Sequence, residues 1–276
     1  MSSYFVIGGD ERMAHLADLL QKKHTVEVAC MEELNRSSIT DDARMLETLR
    51  ESENIILPIP FTKDSVHIFA PYSNKKVAYS VVLENLKQTQ TLFYGAPGKP
   101  EGMVTCACMV NFLENEKYAA NNARLTAEVL TGLMIAKYRF SPYRKNILVL
   151  GYGRIAKILS RILQGMCAHV TIAARKEGDI NLAQALGLSS LHIGEIEKHM
   201  CRFDLIINTV PKCVVAEPEL CAMKDGALLI EIASAPYGVD FEAAKALKKN
   251  VVIEQGLPGK YMPALEAEAL ARIVSA

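Results

Sequence analysis

Two glycines and an alanine between a predicted strand and a predicted helix carry the clearest chemistry in the sequence. Gly151, Gly153 and Ala156 follow the apolar run 147–150 and precede apolar residues at helical spacing. Gly153 lets a pyrophosphate approach the backbone, and the first N–H groups of the helix bind phosphate. The pattern favours a dinucleotide site over a bare strand-to-helix turn. The predicted cofactor-binding residues are Gly151, Tyr152, Gly153, Arg154 and Ile155.

The end of the next predicted strand, at residues 169–174, indicates which dinucleotide binds. A site for NAD usually has Asp or Glu there, which binds the ribose 2′-hydroxyl. This chain has Ala174, Arg175 and Lys176 instead, about 20 residues past the glycines. A missing acid and two cations suit a 2′-phosphate, so the sequence predicts NADP(H) as the cofactor. The alternative is a solvated basic turn with no ligand role.

The composition excludes several classes of protein. The chain has 276 residues, half of them apolar, and a net charge of zero, so a two-domain globular protein is expected. No long basic run indicates nucleic acid as a partner, and no apolar run is long enough for a membrane span. We also expect no signal peptide. The seven cysteines include no C-x-x-C pair, so we expect reduced thiols, no metal site and a cytoplasmic location.

The N-terminal part repeats the order strand, turn and helix with a different turn. Strands are predicted at 4–7 and 25–29, with a helix at 11–23 between them. The turn reads G-G-D-x-R, and Arg12 is a bidentate donor suited to a carboxylate near a helix N-terminus. We therefore expect a substrate site with Gly8, Gly9, Asp10 and Arg12, in preference to a second nucleotide site. The alternative, that Asp10 caps the helix and Arg12 is solvated, stays open.

A second group of substrate residues is expected where the buried strand 54–57 ends. Ligands of open α/β sheets collect beyond the C-terminal ends of the strands, so residues from Pro58 to Lys63 are expected to form a cleft wall. An ordinary loop is the alternative. Further along, helices are predicted at 45–51 and within 75–87, a strand at 91–94 and a loop at 95–100, whereas 103–112 fits no pattern.

A long helix is expected to connect the domains. It is predicted to open at Leu125, with Thr126 as a candidate cap and Glu128 inside it. We expect two doubly wound α/β domains: a flavodoxin-like or Rossmann-like substrate domain at 1–120 and an NAD(P)-binding Rossmann domain at 141–262. The connector would be 121–140, and the last helix, 263–276, is expected to fold back on the first domain.

The predicted Rossmann domain continues with helices at 182–186 and 193–200 and strands at 204–211, 227–232 and 251–254. The third of its strands ends in polar residues, which in this fold lie near the nicotinamide ribose. The further cofactor candidates are therefore Asn208, Thr209, Val210 and Pro211. A strand-terminal turn that uses Asn and Pro is a compatible alternative.

These motifs together resemble the A subunit of bacterial dipicolinate synthase over nearly the whole chain. The matching segments are V-I-G-G-D-x-R at 6–12, I-I-L-P at 55–58, the polar residues of the connector, G-x-G-R at 151–154, A-R at 174–175, I-N-T-x-P at 207–211, A-S-x-P-x-G-x-D-F at 233–241 and G-L-P-G at 256–259. Their order and spacing are specific, although each motif alone is modest.

The resemblance implies an oxidoreductase of the mother-cell cytosol of a sporulating bacterium, on a branch of the lysine pathway. It would oxidise the dicarboxylate 4-hydroxy-tetrahydrodipicolinate to dipicolinate with NADP, acting with a flavoprotein-like B subunit, and we expect a homo-oligomer. Catalytic candidates are Glu128, Ser234 and Asp240, of which Glu128 or Asp240 takes a proton. Substrate contacts are expected from Lys63, Asn122 and Thr126, and further cofactor contacts from Ala233, Ser234 and Gly256.

Three alternatives remain open at this point. For each polar residue, helix capping is as good an explanation as catalysis. The chain as a whole is also compatible with an NADP-dependent dehydrogenase of another small carboxylic acid, or with a non-enzymatic module that senses NADP.

Overall fold

Two parallel sheets organise the chain, one in each of two compact units. The computed structural model describes residues 1–34, 37–97 and 108–275. The units are Met1–Asn122 with Pro258–Ala276, and Ala123–Leu257. Both are α/β units with helices between parallel strands, which confirms the predicted fold class. Cys106 and the second half of the predicted loop at 95–100 lie outside the described residues.

The first sheet has the strand order β2-β1-β3-β4-β5, in which every pair is parallel. This is the flavodoxin-like order. Its switch point, where the order of the strands along the sheet reverses, lies between β1 and β3. The middle strands are apolar along their length because helices cover both faces; Phe5 and Ile55 are fully buried. The strands are β1 Ser3–Ile7, β2 Thr25–Ala29, β3 Asn54–Ile56, β4 Thr91–Tyr94 and β5 Cys108–Asn111.

The second sheet has the order β11-β10-β9-β6-β7-β8 and is also parallel throughout. This is the Rossmann order, and its switch point lies between β6 and β9. The core contains the fully buried Leu148, Leu150 and Ile206. The strands are β6 Asn146–Leu150, β7 His169–Ala174, β8 Ser189–His192, β9 Leu205–Asn208, β10 Leu228–Glu231 and β11 Asn250–Ile253.

The helices follow the strands in both units, as parallel pairing requires. They are α1 Glu11–Gln21, α2 Asp42–Glu51, α3 Tyr79–Asn85, α4 Glu116–Ala136, α5 Arg154–Gly165, α6 Glu177–Ala185, α7 Glu217–Ala222, α8 Phe241–Ala246, α9 Leu257–Tyr261 and α10 Pro263–Val274.

The predicted start of the connector helix was wrong. Helix α4 begins at Glu116, because the side chain of Asn115 accepts hydrogen bonds from the backbone N–H groups of Lys117 (3.0 Å) and Tyr118 (3.1 Å) and so caps the first turn. Thr126 therefore lies inside the helix and does not cap it. The predicted helix at 193–200 is a 3₁₀ segment, Ile193–Arg202.

The last helix is held in the first unit by apolar contacts and by one buried carboxylate. Ala267 and Leu270 of α10 belong to the same buried cluster as residues of α1. Glu266 is fully buried. Its Oε2 accepts hydrogen bonds from the Tyr118 hydroxyl at 2.9 Å and from an Arg12 guanidinium nitrogen at 3.2 Å. Burial raises the pKa of Glu266, and the nearby charge of Arg12 acts against this shift.

The Tyr118 hydroxyl is expected to stabilise the first unit measurably. Tyr118→Phe removes a buried donor to a carboxylate, and we expect the free energy of unfolding to fall by about 2 kcal/mol. Urea titration followed by circular dichroism measures the change. Tyr143→Phe is the matched control, because the Tyr143 side chain is 57% exposed. Equal stability of the two variants would show that the buried hydrogen bond contributes nothing.

Candidate functional site

The glycine turn after β6 leaves the start of α5 open. Gly151 has φ +91°, and a Cβ there would lie 2.6 Å from Oγ1 of Thr209, so the turn requires glycine. Gly153 is the N-cap of α5 and supplies no side-chain hydrogen bond to the helix. Among the described residues, nothing lies within 4 Å of the position of a Gly153 Cβ. The space beside Gly153, at the start of α5, is therefore open, an arrangement that fits a pyrophosphate.

The side chains around this turn are consistent with the same use. Ala156 is fully buried, as close packing of the helix on the strand requires, and Tyr152 is buried as well. Burial raises the pKa of Tyr152. Arg154 and Ile155 occupy the first turn of α5, where Arg154 is exposed and Ile155 is half-buried.

Two exposed cations stand at the end of β7. Ala174 is buried, whereas Arg175 and Lys176 are exposed. Within the described ranges, neither of these two side chains has a hydrogen bond or an ion pair with the rest of the chain. The next acidic residue along the chain is Glu177, where α6 begins. The two cations are therefore available to a ligand phosphate.

The turn after β9 closes against the glycine turn. The backbone N–H and the hydroxyl of Thr209 both donate to the carbonyl of Leu150, at 3.1 and 2.7 Å. Thr209 and Val210 are half-buried and Pro211 is exposed. These three residues therefore lie at the switch point, where ligands of doubly wound sheets bind.

Asn208 has a different role from the predicted one. Its side chain is fully buried and donates to both carboxylate oxygens of Glu231 (2.9 and 2.8 Å) and to the Val210 carbonyl (3.0 Å). Its Oδ1 accepts a hydrogen bond from the Val210 backbone. The hydrogen bonds of the Asn208 side chain therefore stabilise the turn, which is the alternative that the sequence offered. The prediction that Asn208 contacts the cofactor is corrected.

Glu231 is the residue that sequence reasoning missed. It ends β10 opposite Asn208 and is fully buried. Its carboxylate also accepts from the backbone N–H groups of Ala233 (2.7 Å) and Gly238 (2.8 Å). The signal in the sequence is an acidic residue at the end of an otherwise apolar strand, where burial requires several hydrogen-bond donors.

The loop after β10 presents Ser234 and uses Asp240 as a cap. Ser234 is exposed and Ala233 is buried. Asp240 accepts a hydrogen bond from the backbone of Ala243 at 3.0 Å and caps α8, and its role as a proton acceptor stays a prediction. Gly256 has φ +61° and is exposed.

The Gly8 and Gly9 amides already have acceptors, so the prediction that they bind a carboxylate is corrected. The Gly8 N–H donates to the Ala29 carbonyl at 2.9 Å, and the Gly9 N–H donates to the Phe69 carbonyl at 2.7 Å. A Cβ on Gly9 would lie 2.3 Å from Cγ of Met13. The turn is therefore closed by the chain itself, which also excludes a nucleotide bound through these amides.

Arg12 likewise binds a carboxylate of its own chain. Only 8% of the residue is exposed, and its guanidinium donates to Asp10 (2.9 and 2.8 Å), to the Ile59 carbonyl and to Glu266. Burial lowers the pKa of Arg12, but Asp10 and the other neighbouring groups outweigh this and raise it above its usual range. Asp10 also caps α1, as the alternative held. The predictions that Arg12 grips a substrate or is solvated are both corrected.

The remaining substrate candidates differ in exposure. Pro58 is buried beside Gly9, whereas Lys63 is exposed, with Nζ 3.8 Å from the centre of the Phe69 ring. Glu128 forms an ion pair with Arg124, one turn earlier on α4, at 2.7 Å. The remaining candidates, Asn122 and Thr126, also lie inside α4; Asn122 is half-buried, and Thr126 is 7% exposed.

No helix in the described part of the chain has the length and apolar character of a membrane span. No three His, Cys, Asp or Glu side chains in that part are grouped as metal ligands.

Comparison with protein families matches both units. Residues 3–99 match the N-terminal domain of the A subunit of dipicolinate synthase. Residues 117–257 match the NAD-binding domain of D-isomer specific 2-hydroxyacid dehydrogenases. The second match spans half of the chain and contains the glycine turn, β7 and β9, so the second unit binds a nicotinamide dinucleotide.

Individual relatives agree with this assignment. The A subunit of dipicolinate synthase from Bacillus subtilis (strain 168) is 23% identical over 98% of this chain and 93% of the relative. The crystal structure of the A chain from Bacillus subtilis has a TM-score of 0.85 at 24% identity, covering 99% of this chain and 94% of that one. The structure of the A subunit from Bacillus halodurans has a TM-score of 0.84 at 23% identity, covering 99% and 96%. The two structures show the shared fold.

The resemblance drawn from the sequence motifs is confirmed, and the chain is an oxidoreductase with a dehydrogenase role. It belongs to the D-isomer specific 2-hydroxyacid dehydrogenase NAD-binding domain family, in a form that carries the N-terminal domain of the A subunit of dipicolinate synthase.

Proposed function

We propose that this chain is the A subunit of a dipicolinate synthase, which oxidises 4-hydroxy-tetrahydrodipicolinate to dipicolinate with NADP. The match of residues 3–99 to the N-terminal domain of that subunit carries the proposal. A relative with this name aligns along 98% of the chain, which supports it. The open glycine turn of the second unit supplies the cofactor site.

The reaction needs little from the protein beyond orientation. Loss of water from the substrate gives a dihydropyridine dicarboxylate. Loss of a hydride and a proton then gives the aromatic ring of dipicolinate, and aromaticity drives the step. When bound, NADP would supply the hydride acceptor. The chain has to hold the ring against the nicotinamide and to provide a group that receives the proton.

Ser234 and Glu128 are the side chains that we assign to these tasks. Ser234 is exposed on the loop after β10, at the edge of the sheet where the strands end, and its hydroxyl hydrogen-bonds the substrate. Glu128 receives the proton, because its carboxylate is held by one exposed cation, Arg124, and keeps access to solvent. Lys63, Asn122 and Thr126 stay in the proposal as substrate contacts.

We assign NADP from the two exposed cations at the end of β7. Arg175 and Lys176 lie where the acidic residue of an NAD site usually stands, and their charges have no partner among the described residues. A 2′-phosphate would accept hydrogen bonds from both. The family match supports a nicotinamide dinucleotide of either kind.

Partner, assembly and location follow from the same assignment. The relative is named as one subunit of its enzyme, so we propose that the partner is a flavoprotein-like B subunit. A homo-oligomer in the mother-cell cytosol of a sporulating bacterium completes the proposal.

A dehydrogenase of another small carboxylic acid is the second candidate. The match of residues 117–257 to 2-hydroxyacid dehydrogenases favours it, because that fold serves several substrates through changes in its loops.

Dipicolinate formation, followed by ultraviolet absorbance, tests the proposal. Freshly generated 4-hydroxy-tetrahydrodipicolinate is supplied with NADP⁺ or NAD⁺, with and without a candidate B subunit. Product with NADP⁺ is the expected result, and its dependence on the B subunit tests the partner. Lack of product in every mixture, while NADPH still binds, would reject the substrate and favour the second candidate.

Removal of the two cations is expected to change the choice of cofactor. We expect the Kd for NADPH to rise about 100-fold in Arg175→Ala/Lys176→Ala, because two charge-assisted hydrogen bonds are lost, and the Kd for NADH to stay within about twofold. Isothermal titration calorimetry measures both constants. Lys22→Ala/Lys23→Ala, which removes two neighbouring exposed cations at the end of α1, is the control. An unchanged ratio of the two Kd values would reject the NADP assignment.

A side chain at Gly153 is expected to block the dinucleotide without harming the fold. Gly153→Val fills space that is open in the structure, so we expect the free energy of unfolding to fall by no more than about 1 kcal/mol, the usual cost of an unfavourable N-cap residue. The Kd for NADPH should rise at least about tenfold as N–H contacts to the phosphates are lost. Gly165→Val, at the other end of α5 and also in open space, should leave Kd unchanged. Normal binding by the Gly153 variant would place the dinucleotide elsewhere.

A further inference from the structure

Glu231 is a buried carboxylate for which the proposed reaction has no direct use. It is fully buried, and its donors in the described part of the chain are all neutral amides, from Asn208, Ala233 and Gly238. A carboxylate inside a protein is costly unless it is paired or fully hydrogen-bonded. An apolar residue at the end of this strand would avoid that cost, so the arrangement needs a reason of its own.

The carboxylate joins two loops that emerge side by side from the sheet. Through Asn208 it holds the turn after β9, because the same amide group donates to the Val210 carbonyl and accepts from the Val210 N–H. Through Ala233 and Gly238 it holds both ends of the loop after β10. A Cβ on Gly238 would lie 2.2 Å from Nδ2 of Asn208, so the loop also packs directly on the turn.

The position of these loops on the sheet says which half of the dinucleotide they face. The strand order places β7 on one side of β6 and β9, then β10, on the other. In this fold the turn after β6 would hold the pyrophosphate, and the end of β7 would hold the adenosine ribose. The nicotinamide half must then extend over the ends of β9 and β10.

We propose that Glu231, acting through Asn208, is a positioning residue for the nicotinamide half of the cofactor. The carboxylate sets the turn at 208–211 and the loop at 233–238 in one arrangement, against which the nicotinamide and its ribose bind. This inference rests on the dinucleotide site described above. It predicts that damage to Glu231 weakens contacts to one half of the cofactor and spares the other half.

Glu231→Gln is the variant that tests this role. It keeps the size of the side chain but replaces one acceptor oxygen with an NH₂ group. That NH₂ faces Asn208 Nδ2 and a backbone N–H, all of which are donors. If Asn208 rotates to accept from it, the Val210 N–H loses its own acceptor. Every arrangement therefore leaves a buried donor unpaired and loosens at least one of the two loops.

The measurement compares two ligands by isothermal titration calorimetry. One is NADPH, and the other is 2′-phospho-ADP-ribose, which lacks the nicotinamide. We expect Glu231→Gln to raise the Kd for NADPH about tenfold, as for the loss of one buried hydrogen bond, with the Kd for 2′-phospho-ADP-ribose unchanged. Equal Kd values in variant and wild type for both ligands would overturn the proposal. A parallel loss of both would overturn it in favour of a purely structural role.

A second variant covers the case in which Glu231→Gln does not fold. The Gln255 side chain donates to the Ala233 carbonyl at 2.7 Å and holds the same loop from the end of the next strand. Gln255→Leu should show the same split between the two ligands, and its absence would overturn the proposal. Gln164→Leu is the matched control, since Gln164 donates to the carbonyl of Gly187 at 3.2 Å, away from the strand ends.

The binding test is independent of the proposed substrate. It needs no turnover, so a failure to form dipicolinate would leave its outcome meaningful. If the wild-type chain prefers NADH, the pair NADH and ADP-ribose replaces the phosphorylated pair, and the expected split is the same.

Discussion

Parallel strand pairing is the constraint on which both units depend. All strands of a parallel sheet end on one edge, and each must be followed by a return connection, usually a helix. The turns that join strand to helix therefore gather at that edge, where the helices present their N-termini. In the second sheet this places the turns after β6, β7, β9 and β10 together, although they are far apart in the sequence. The chemistry of each unit depends on what occupies these turns.

The two glycine turns show how the same supersecondary unit acquires different roles. After β1, the chain supplies its own acceptors to the Gly8 and Gly9 amides, and Asp10 caps α1. After β6, the N-cap of α5 is Gly153, which has no side chain to offer. A helix terminus leaves N–H groups that need partners. The first unit provides an acceptor from within, the side chain of Asp10, whereas the N-cap of α5 has no side chain that could accept, and we propose that a ligand anion binds there.

The sequence predicted the elements with strong periodicity and missed what depends on distant partners. Helix α10 begins where its pattern indicates, at Pro263, because apolar spacing and an N-terminal Pro are local signals. The open glycine turn was visible for the same reason. The partners of Arg12 could not be predicted, because one of them, Glu266, lies at the far end of the chain. The sequence predicts Asn208 as a cofactor contact, whereas in the structure its side chain donates to Glu231 on the neighbouring strand.

Burial separates structural charges from functional ones in this chain. Arg12 and Glu231 are buried, and the hydrogen bonds they make lie within the chain, as the cost of a buried charge demands. Arg175 and Lys176 are exposed at the edge where the strands end, and the described part of the chain gives them no partner. A solvated cation costs the fold little, so its position is free to serve a ligand. The buried charges hold the turns through hydrogen bonds, and we propose that the exposed ones recognise the ligand that binds there.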